Sequence, residues 1–257
     1  MYRYRDGILP LGRQMASFQN RAIAILGGAS GMGLATTQVL LARQARVAVF
    51  DVSADNLHQF YAQLPAERID HCMVIAGNVT DEIAVQRFLL ETKSRFGGLN
   101  GVANFAGTPG HELSTEAIWQ TTQEEYQFIM DINVKGLFNV LSVALRPDFL
   151  DYSSSVVHIG SMFSLQGFKN GAIFAASKHA ALGMVRSVAK ETNGKTRVNC
   201  VLPYVFLSLF YEYIYIYIGF VQFGIDTIQW SSRHSNASGE HGTGPGLHSN
   251  SDDTNSA

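Results

Sequence analysis

From residue 22 onward, short apolar runs rich in β-branched residues alternate with longer segments that are apolar on one side. The short runs predict strands at AIAIL (22–26), RVAVFD (46–51), HCMVIA (71–76), GVANF (101–105), SVVHIG (155–160) and TRVNCVL (196–202). The longer segments predict helices, most clearly within 31–44, 122–146 and 172–192. This alternation is typical of βαβ units with right-handed crossovers. The sequence therefore predicts an α/β fold with a doubly wound parallel sheet.

The pattern changes abruptly after Pro203. The segment YVFLSLFYEYIYIYIGFVQF (204–223) contains one charged residue, Glu212, and its Tyr/Ile alternation favours a strand over a helix. A membrane span is the alternative interpretation because the segment is long and apolar, but the β-favouring aromatic residues and the near-central glutamate argue against it. The remaining residues are rich in Ser, Asn, Gly and His, which predicts disorder.

We expect an N-terminal extension (1–20), one domain (21–203), the apolar segment (204–223) and a disordered tail (224–257). The net charge of −2, with 16% charged residues, argues against a nucleic-acid partner. A small molecule is the expected partner. Cys72 and Cys200 lie inside apolar runs rather than at metal-ligand or disulfide-framework spacings, which favours buried thiols and a cytoplasmic protein.

The segment GGASGMG (27–33) follows the first predicted strand and opens a helix. Gly27, Gly31 and Gly33 allow the tight turn, and the N–H groups around Ser30 and Met32 would then face a pyrophosphate at the helix N-terminus. A plain strand-to-helix turn is the alternative interpretation.

Asp51 strengthens the cofactor interpretation because it closes the second predicted strand about twenty residues further on. A carboxylate at this position can accept a hydrogen bond from the ribose 2′-hydroxyl and repel a 2′-phosphate. The sequence therefore predicts binding of NAD, with NADP as the second possibility.

Four further motifs occur in order: GNVTDE (77–82), ANFAG (103–107), DINVKG (131–136) and HIGSMFS (158–164). Together with the glycine-rich turn they resemble the short-chain dehydrogenase/reductase family over about residues 20–203. The resemblance implies a Rossmann-like domain and an NAD(P)-dependent oxidoreductase that interconverts an alcohol and a ketone.

The resemblance also assigns cofactor-binding residues. It implies that Asn104, with Ala106 and Gly107, supports the cofactor and the central sheet. Asn78 and Val79 would lie beside the adenine. Asn78 stands where the family usually has an aspartate, and its amide can still hydrogen-bond the adenine amino group.

The catalytic residues carry over with one exception. The resemblance implies that Asn133 holds a water in a proton relay, that Ser161 orients the substrate and that Lys178 grips the nicotinamide ribose. Phe174, 13 residues after Ser161 and four before Lys178, stands where the family has its tyrosine. Phenylalanine fills the space of that ring but cannot donate a proton. General acid–base catalysis contributes roughly 10²–10⁴ in rate, so the sequence predicts an impaired enzyme.

After VLP (201–203) the family continues with a glycine, a substrate-covering loop and a last strand, which this sequence lacks. Read-through of an unspliced intron is one explanation for the break. Two alternatives to an impaired oxidoreductase therefore stay open: a non-catalytic dinucleotide-binding protein, and a truncated inactive product. We expect a homodimer through the apolar faces of helices 122–146 and 172–192, because the other contact common in the family uses the missing strand.

Overall fold

The fold is described from a computed structural model, which covers residues 18–205 and 216–221. Seven strands form one sheet in this part of the chain. Its strands are β1 (Ala22–Leu26), β2 (Arg46–Asp51), β3 (Cys72–Ala76), β4 (Gly101–Asn104), β5 (Ser154–Ile159), β6 (Thr196–Val205) and β7 (Ile216–Val221). Their order is β3-β2-β1-β4-β5-β6-β7, and the first six are mutually parallel. The prediction of a doubly wound parallel sheet is confirmed.

Seven α-helices connect the strands of the described part: α1 (Gly31–Ala42), α2 (Ala54–Ala62), α3 (Ala66–Ile69), α4 (Glu82–Phe96), α5 (Gln123–Met130), α6 (Gly136–Ala144) and α7 (Ala172–Glu191). The continuous helix expected over 122–146 is instead interrupted by a π-helical turn at Asp131–Lys135, between α5 and α6. A short 3-10 turn at Met162–Ser164 follows β5.

Two apolar layers cover the sheet, as the parallel strands require. One layer contains Phe88 and Leu89 of α4, Val140 of α6 and Leu182 of α7. The other contains residues of α1 and α2 packed on the opposite face of β1 and β2. Cys72 and Cys200 are both buried free thiols, as predicted. Burial raises the pKa of Cys72 to about 12, so this thiol stays protonated at neutral pH.

The far edge of the sheet differs from the rest. Strand β7 pairs antiparallel with β6, in a register that places Val205 opposite Ile216 and Cys200 opposite Val221. Residues 216–221 of the apolar segment thus form a strand along the β6 edge, and the alternation of Tyr and Ile in that segment predicts a strand. The remainder of that segment, the N-terminal residues 1–17 and the tail from 222 lie outside the described residues. Within the described part of the chain, none of the helices is long and apolar enough to cross a membrane.

Candidate active site

The glycine-rich turn between β1 and α1 is closely packed on its inner side. Gly27 has a φ of +73°, and a Cβ added there would lie 2.6 Å from the backbone nitrogen of Ala106. A Cβ on Gly33 would collide with the carbonyl oxygen of Gly27. Both positions need glycine because backbone approaches backbone there.

The outer side of the same turn is open. Gly31 has a φ of +49°, and a Cβ added there would meet no atom of the described residues within 4 Å. Ser30 is the N-cap of α1 and its side chain makes no capping hydrogen bond. Met32 is 43% exposed. A helix N-terminus with free N–H groups beside open space suits an anionic group such as a pyrophosphate.

Asp51, the last residue of β2, is linked directly to this turn. Its Oδ2 accepts a hydrogen bond from the backbone N–H of Ala29 at 3.0 Å, and its Oδ1 accepts one from Ser53, also at 3.0 Å. A carboxylate has about four acceptor sites, so two remain for ligand hydroxyls. The side chain is buried, and its two backbone hydrogen bonds hold the carboxyl group next to the open turn.

The two residues expected near the adenine follow β3. Asn78 is exposed, and its Oδ1 accepts a hydrogen bond from the N–H of Thr80 at 3.0 Å. Val79 is buried, and its carbonyl accepts a hydrogen bond from Asn139 of α6 at 2.9 Å. The loop is joined to β2 because Gly77 N–H donates to the carbonyl of Asp51. Asn78 therefore lies in the loop after β3, next to the end of β2 where Asp51 stands.

Asn104 at the end of β4 lies beside a residue that the sequence analysis did not identify, His158 of β5. The Asn104 Nδ2 is 3.3 Å from His158 Nδ1, and Asn104 Oδ1 accepts a hydrogen bond from Ala106 N–H. The imidazole is completely buried, and desolvation, reinforced by the charge of Lys178, lowers its pKa to about 3. Because the amide nitrogen is a donor, His158 is neutral with its proton on Nε2.

The π-helical turn contains Asn133, which is 1% exposed. Its Oδ1 accepts a hydrogen bond from the N–H of Thr108, and its Nδ2 donates to the Thr108 carbonyl, both at 2.8 Å. The same Nδ2 lies 2.9 Å from Ser177 Oγ of α7. Single π turns inside helices are frequent at functional sites. Here the turn ties the loop after β4 to α7; the role of Asn133 in holding a water stays a prediction.

Lys178 of α7 is buried close to this junction. A Cβ on Gly107 would lie 3.2 Å from Asn133 Oδ1 and 3.3 Å from Lys178 Nζ. The ammonium donates a hydrogen bond to the carbonyl of Ile159 at 3.3 Å and forms no ion pair with a carboxylate of the described residues. Desolvation lowers its pKa to about 8. A buried amine with three donors and a single protein acceptor suits a ligand that offers hydroxyl oxygens.

Ser161 follows β5 and caps the 3-10 turn. Its Oγ accepts a hydrogen bond from Phe163 N–H, and its own N–H donates to Ser164 Oγ, each at 3.2 Å. This reciprocal pair is a capping box that fixes the serine rotamer. The segment lies beside α7, because Ile159, two residues earlier, accepts the hydrogen bond from Lys178.

Phe174 belongs to a cluster of three aromatic rings. The centroids of Phe163 and Phe168 are 3.9 Å apart, and the Phe174 ring meets both edge-on, at 6.2 and 6.4 Å. A Cβ on Gly171, the N-cap of α7, would collide with the Phe168 ring. The position that the resemblance gives to a tyrosine is thus occupied by an aromatic ring held by two others.

A cleft opens beside Phe174, between the loop 109–121 and the start of α7. Glu125 of α5 lies in its lining and binds the loop, because it accepts hydrogen bonds from the backbone N–H and the ring of His111. The hydrogen bond from the His111 ring is the main cause that lowers the pKa of Glu125. The sequence analysis identified neither residue, since no motif marks a contact between residues fourteen positions apart.

The strand order β3-β2-β1-β4-β5-β6, with a glycine turn after β1 and a carboxylate closing β2, defines the class of dinucleotide-binding α/β domains. The model of the short chain dehydrogenase family matches residues 21–213. The chain belongs to this family of oxidoreductases.

Its relatives include the short-chain dehydrogenase/reductase aba4 of Botryotinia fuckeliana (strain B05.10), 32% identical over 187 residues, which cover 72% of each protein. The 1,2-dihydroxy-1,2-dihydronaphthalene dehydrogenase of Ralstonia sp is 35% identical over 185 residues, or 71% of this chain and 69% of the relative. The crystal structure of levodione reductase is similar with a TM-score of 0.63 and 28% identity, over 72% of this chain and 71% of that chain.

Proposed function

We propose that this chain interconverts an alcohol and a ketone with a nicotinamide dinucleotide, and that Phe174 makes the reaction slow. The observation that carries the proposal is the junction at Gly107, where the Asn133 amide and the Lys178 ammonium meet beside the same α-carbon. Two of the relatives are named as a dehydrogenase and a reductase of small molecules, which supports the reaction class.

The residues that would hold the dinucleotide fit such a ligand. The turn 27–33 would bind the pyrophosphate, Asp51 the adenosine ribose and Lys178 the nicotinamide ribose. The open side of Gly31 and the incompletely bonded Lys178 ammonium support this assignment. When bound, the nicotinamide supplies the hydride chemistry of the reaction.

The protein's own contribution centres on the substrate oxygen. Ser161 Oγ already accepts a hydrogen bond from Phe163, so its hydroxyl proton is left to donate to a carbonyl. Lys178 would place positive charge nearby. Phe174 has no proton to give, and the loss of a general acid costs roughly 10²–10⁴ in rate. The oxygen is therefore oriented and polarised, but a proton donor is missing at the position where the resemblance puts one.

We further propose a preference for NAD(H) over NADP(H), because the Asp51 carboxylate would repel a 2′-phosphate. The test is the affinity for NADH and NADPH, measured by fluorescence titration. Asp51→Asn keeps an oxygen that can accept one of the two backbone hydrogen bonds and removes the charge, so NADPH affinity relative to NADH should rise by about five- to tenfold.

Asp55→Asn, an exposed carboxylate in the first turn of α2, is the matched control and should change neither affinity. Tighter or equal binding of NADPH by the unmodified chain contradicts the preference. Failure of both nucleotides to bind contradicts the site itself.

A non-catalytic dinucleotide-binding protein is the second candidate, and Phe174 is the observation that favours it. Both candidates bind NADH, but only the oxidoreductase oxidises NADH in the presence of a ketone. A panel of cyclic and open-chain ketones, followed by absorbance, separates them. A truncated inactive product would bind neither nucleotide.

We also propose that the chain forms a homodimer. Helices α5 and α6 expose Tyr126 (40%) and Phe138 (54%), two aromatic side chains on the helices that the resemblance assigns to a two-fold contact. A two-fold contact that pairs these helices with those of a second copy would bury both side chains.

A further inference from the structure

The cleft beside Phe174, which we call the acidic cleft, has a mixed lining. Its apolar surface comes from Leu113, Ile118, Ile129 and Ile173, next to the Phe174 ring. Its polar surface includes three carboxylates, Glu112, Glu116 and Glu125. Because Phe174 forms part of the wall, a compound in this cleft would contact the residue that stands at the position of the family's tyrosine.

Both walls of the acidic cleft are held in place. Ser114 N–H donates a hydrogen bond to the carbonyl of Asn170 at 2.9 Å, and Asn170 Nδ2 donates back to the Ser114 carbonyl at 3.3 Å. At the other end, Glu125 Oε1 accepts a hydrogen bond from His111 N–H at 2.6 Å, and Oε2 lies 2.7 Å from the His111 ring. The loop 109–121 is thus fastened to α5 and to the segment before α7.

The charged residues that line the acidic cleft are all acidic. Among the described residues, its lining contains no lysine, arginine or histidine. Glu125 is ionised at neutral pH because the hydrogen bonds from His111 lower its pKa. The ring of His111 lies 2.7 Å from Glu125, whereas Glu112 has a hydroxyl partner, Thr115 Oγ1, at 2.9 Å. An anionic ligand would face repulsion that no described cation in the lining offsets.

We propose that the acidic cleft selects the substrate class: apolar carbonyl or alcohol compounds that are uncharged or cationic, and not compounds carrying a carboxylate or phosphate. The inference rests on the proposed function, since it takes the cleft beside Phe174 as the substrate side of that site. The isoleucine and leucine side chains supply the affinity for an apolar body, and the glutamates exclude anions.

The experiment measures binding, so it does not depend on turnover. Three para-substituted cyclohexanones, carrying a methyl, an aminomethyl or a carboxylate group, are titrated into the full chain labelled at its isoleucine methyl groups, with and without NADH. The methyl and aminomethyl compounds should shift the NMR signals of the methyl groups of Ile118, Ile129 and Ile173. The carboxylate compound should bind about tenfold more weakly than the methyl compound, as expected for two or three carboxylates acting across solvent.

Variants test whether the glutamates cause this difference. The double variant Glu112→Gln with Glu116→Gln should reduce the discrimination against the carboxylate compound to about twofold and leave the methyl compound's affinity unchanged. Glu67→Gln is the matched control: it removes one exposed carboxylate on α3, beside β3 at the opposite edge of the sheet, and should preserve the tenfold difference.

Equal binding of the carboxylate and methyl compounds would overturn the proposed substrate class. Shifts confined to other isoleucines, such as Ile23 or Ile25 of β1, or no binding of any ketone, would overturn the cleft as the substrate site. Failure of NADH alone to bind would instead count against the proposed function, so the two failures are distinguishable.

Discussion

The ammonium of Lys178 lies 5.7 Å from the centroid of the Phe174 ring, one helical turn before it on α7. A cation facing an aromatic ring is stabilised by about 0.5–2 kcal/mol, more when both groups are desolvated. The lysine is therefore held in position by a ring that has no hydroxyl. The site keeps the residues to which the resemblance assigns cofactor binding and substrate orientation, and has Phe174 at the position where the resemblance puts the proton donor.

The glycine turn offers a direct test of the packing that positions the residues proposed to bind the cofactor. Gly33→Ala should lower the free energy of unfolding by about 1–3 kcal/mol, because the added methyl group collides with the backbone carbonyl of Gly27, which cannot move aside. Gly183→Ala is the control, since that position on α7 is open and alanine favours a helix by up to about 1 kcal/mol. Urea unfolding measures both; equal stabilities for the two variants would contradict the account.

The strands could be predicted to within one to three residues because each is a short apolar run. Helices α2 to α4 were not singled out, although Val85, Phe88 and Leu89 of α4 lie at helical spacing and are buried. The π turn at Asp131–Lys135 could not be read from DINVKG, which is locally compatible with a continuous helix. It depends on Asn133 bonding Thr108, 25 residues earlier, and that contact exists only in the folded chain.

In the candidate site, too, the sequence predicts some residues, whereas others are brought in only by folding. The family resemblance predicts roles for Lys178 and Ser161, but no spacing indicates the Phe163 and Phe168 rings that surround Phe174. One feature of the sequence could have drawn attention to His158: it is a titratable residue inside the apolar run SVVHIG. Its neutral state follows from burial and from the nearby charge of Lys178, and both are properties of the folded chain.

His158 should make the protein sensitive to acid. Its pKa is about 3 in the folded chain, against 6.5 for an unperturbed histidine such as one in the unfolded chain. Between these two pH values the unfolded chain binds a proton that the folded chain does not. Burial of the neutral His158 ring therefore leaves the free energy of unfolding unreduced above pH 6.5. As the pH falls from 6.5 toward 3, the free energy of unfolding decreases by roughly 1.4 kcal/mol per pH unit.

The measurement is the free energy of unfolding in urea from pH 7 to pH 4. His158→Asn should have a shallower pH dependence over this range, even though its stability at pH 7 is lower. His58→Gln, at an exposed position of α2, should retain the original slope. An unchanged slope in His158→Asn would show that another group controls the acid response.

The proposed homodimer predicts a specific effect on mass. Light scattering of the full chain should give twice the monomer mass of 28.2 kDa. Phe138→Asp should shift it toward the monomer, because a charge would be buried in the two-fold contact. Tyr152→Asp, at a position 81% exposed after α6, should leave the mass unchanged. A stable tetramer, or a dimer unaffected by Phe138→Asp, would refute the proposed contact.

Phe174→Tyr should raise reductase activity. The ring is already held by Phe163 and Phe168, so the change adds one hydroxyl near Lys178, whose positive charge favours the phenolate form. An installed general acid can increase the rate of NADH oxidation with a ketone by about 10²–10⁴. The gain should appear in kcat rather than in KM, since the hydroxyl acts on the developing charge of the transition state.

The matched control adds the same hydroxyl at another ring of the cluster. Phe168→Tyr changes the polarity of the site by the same atom but stands six residues before Phe174, off the turn that faces Lys178, so it should leave the rate unchanged. The pH profile gives a second readout: the Phe174→Tyr enzyme should show an ionisation that the unmodified chain and the control lack. If the unmodified chain is as active as Phe174→Tyr, or Phe168→Tyr gains as much, the proton comes from another group and Phe174 is not the cause of the impairment.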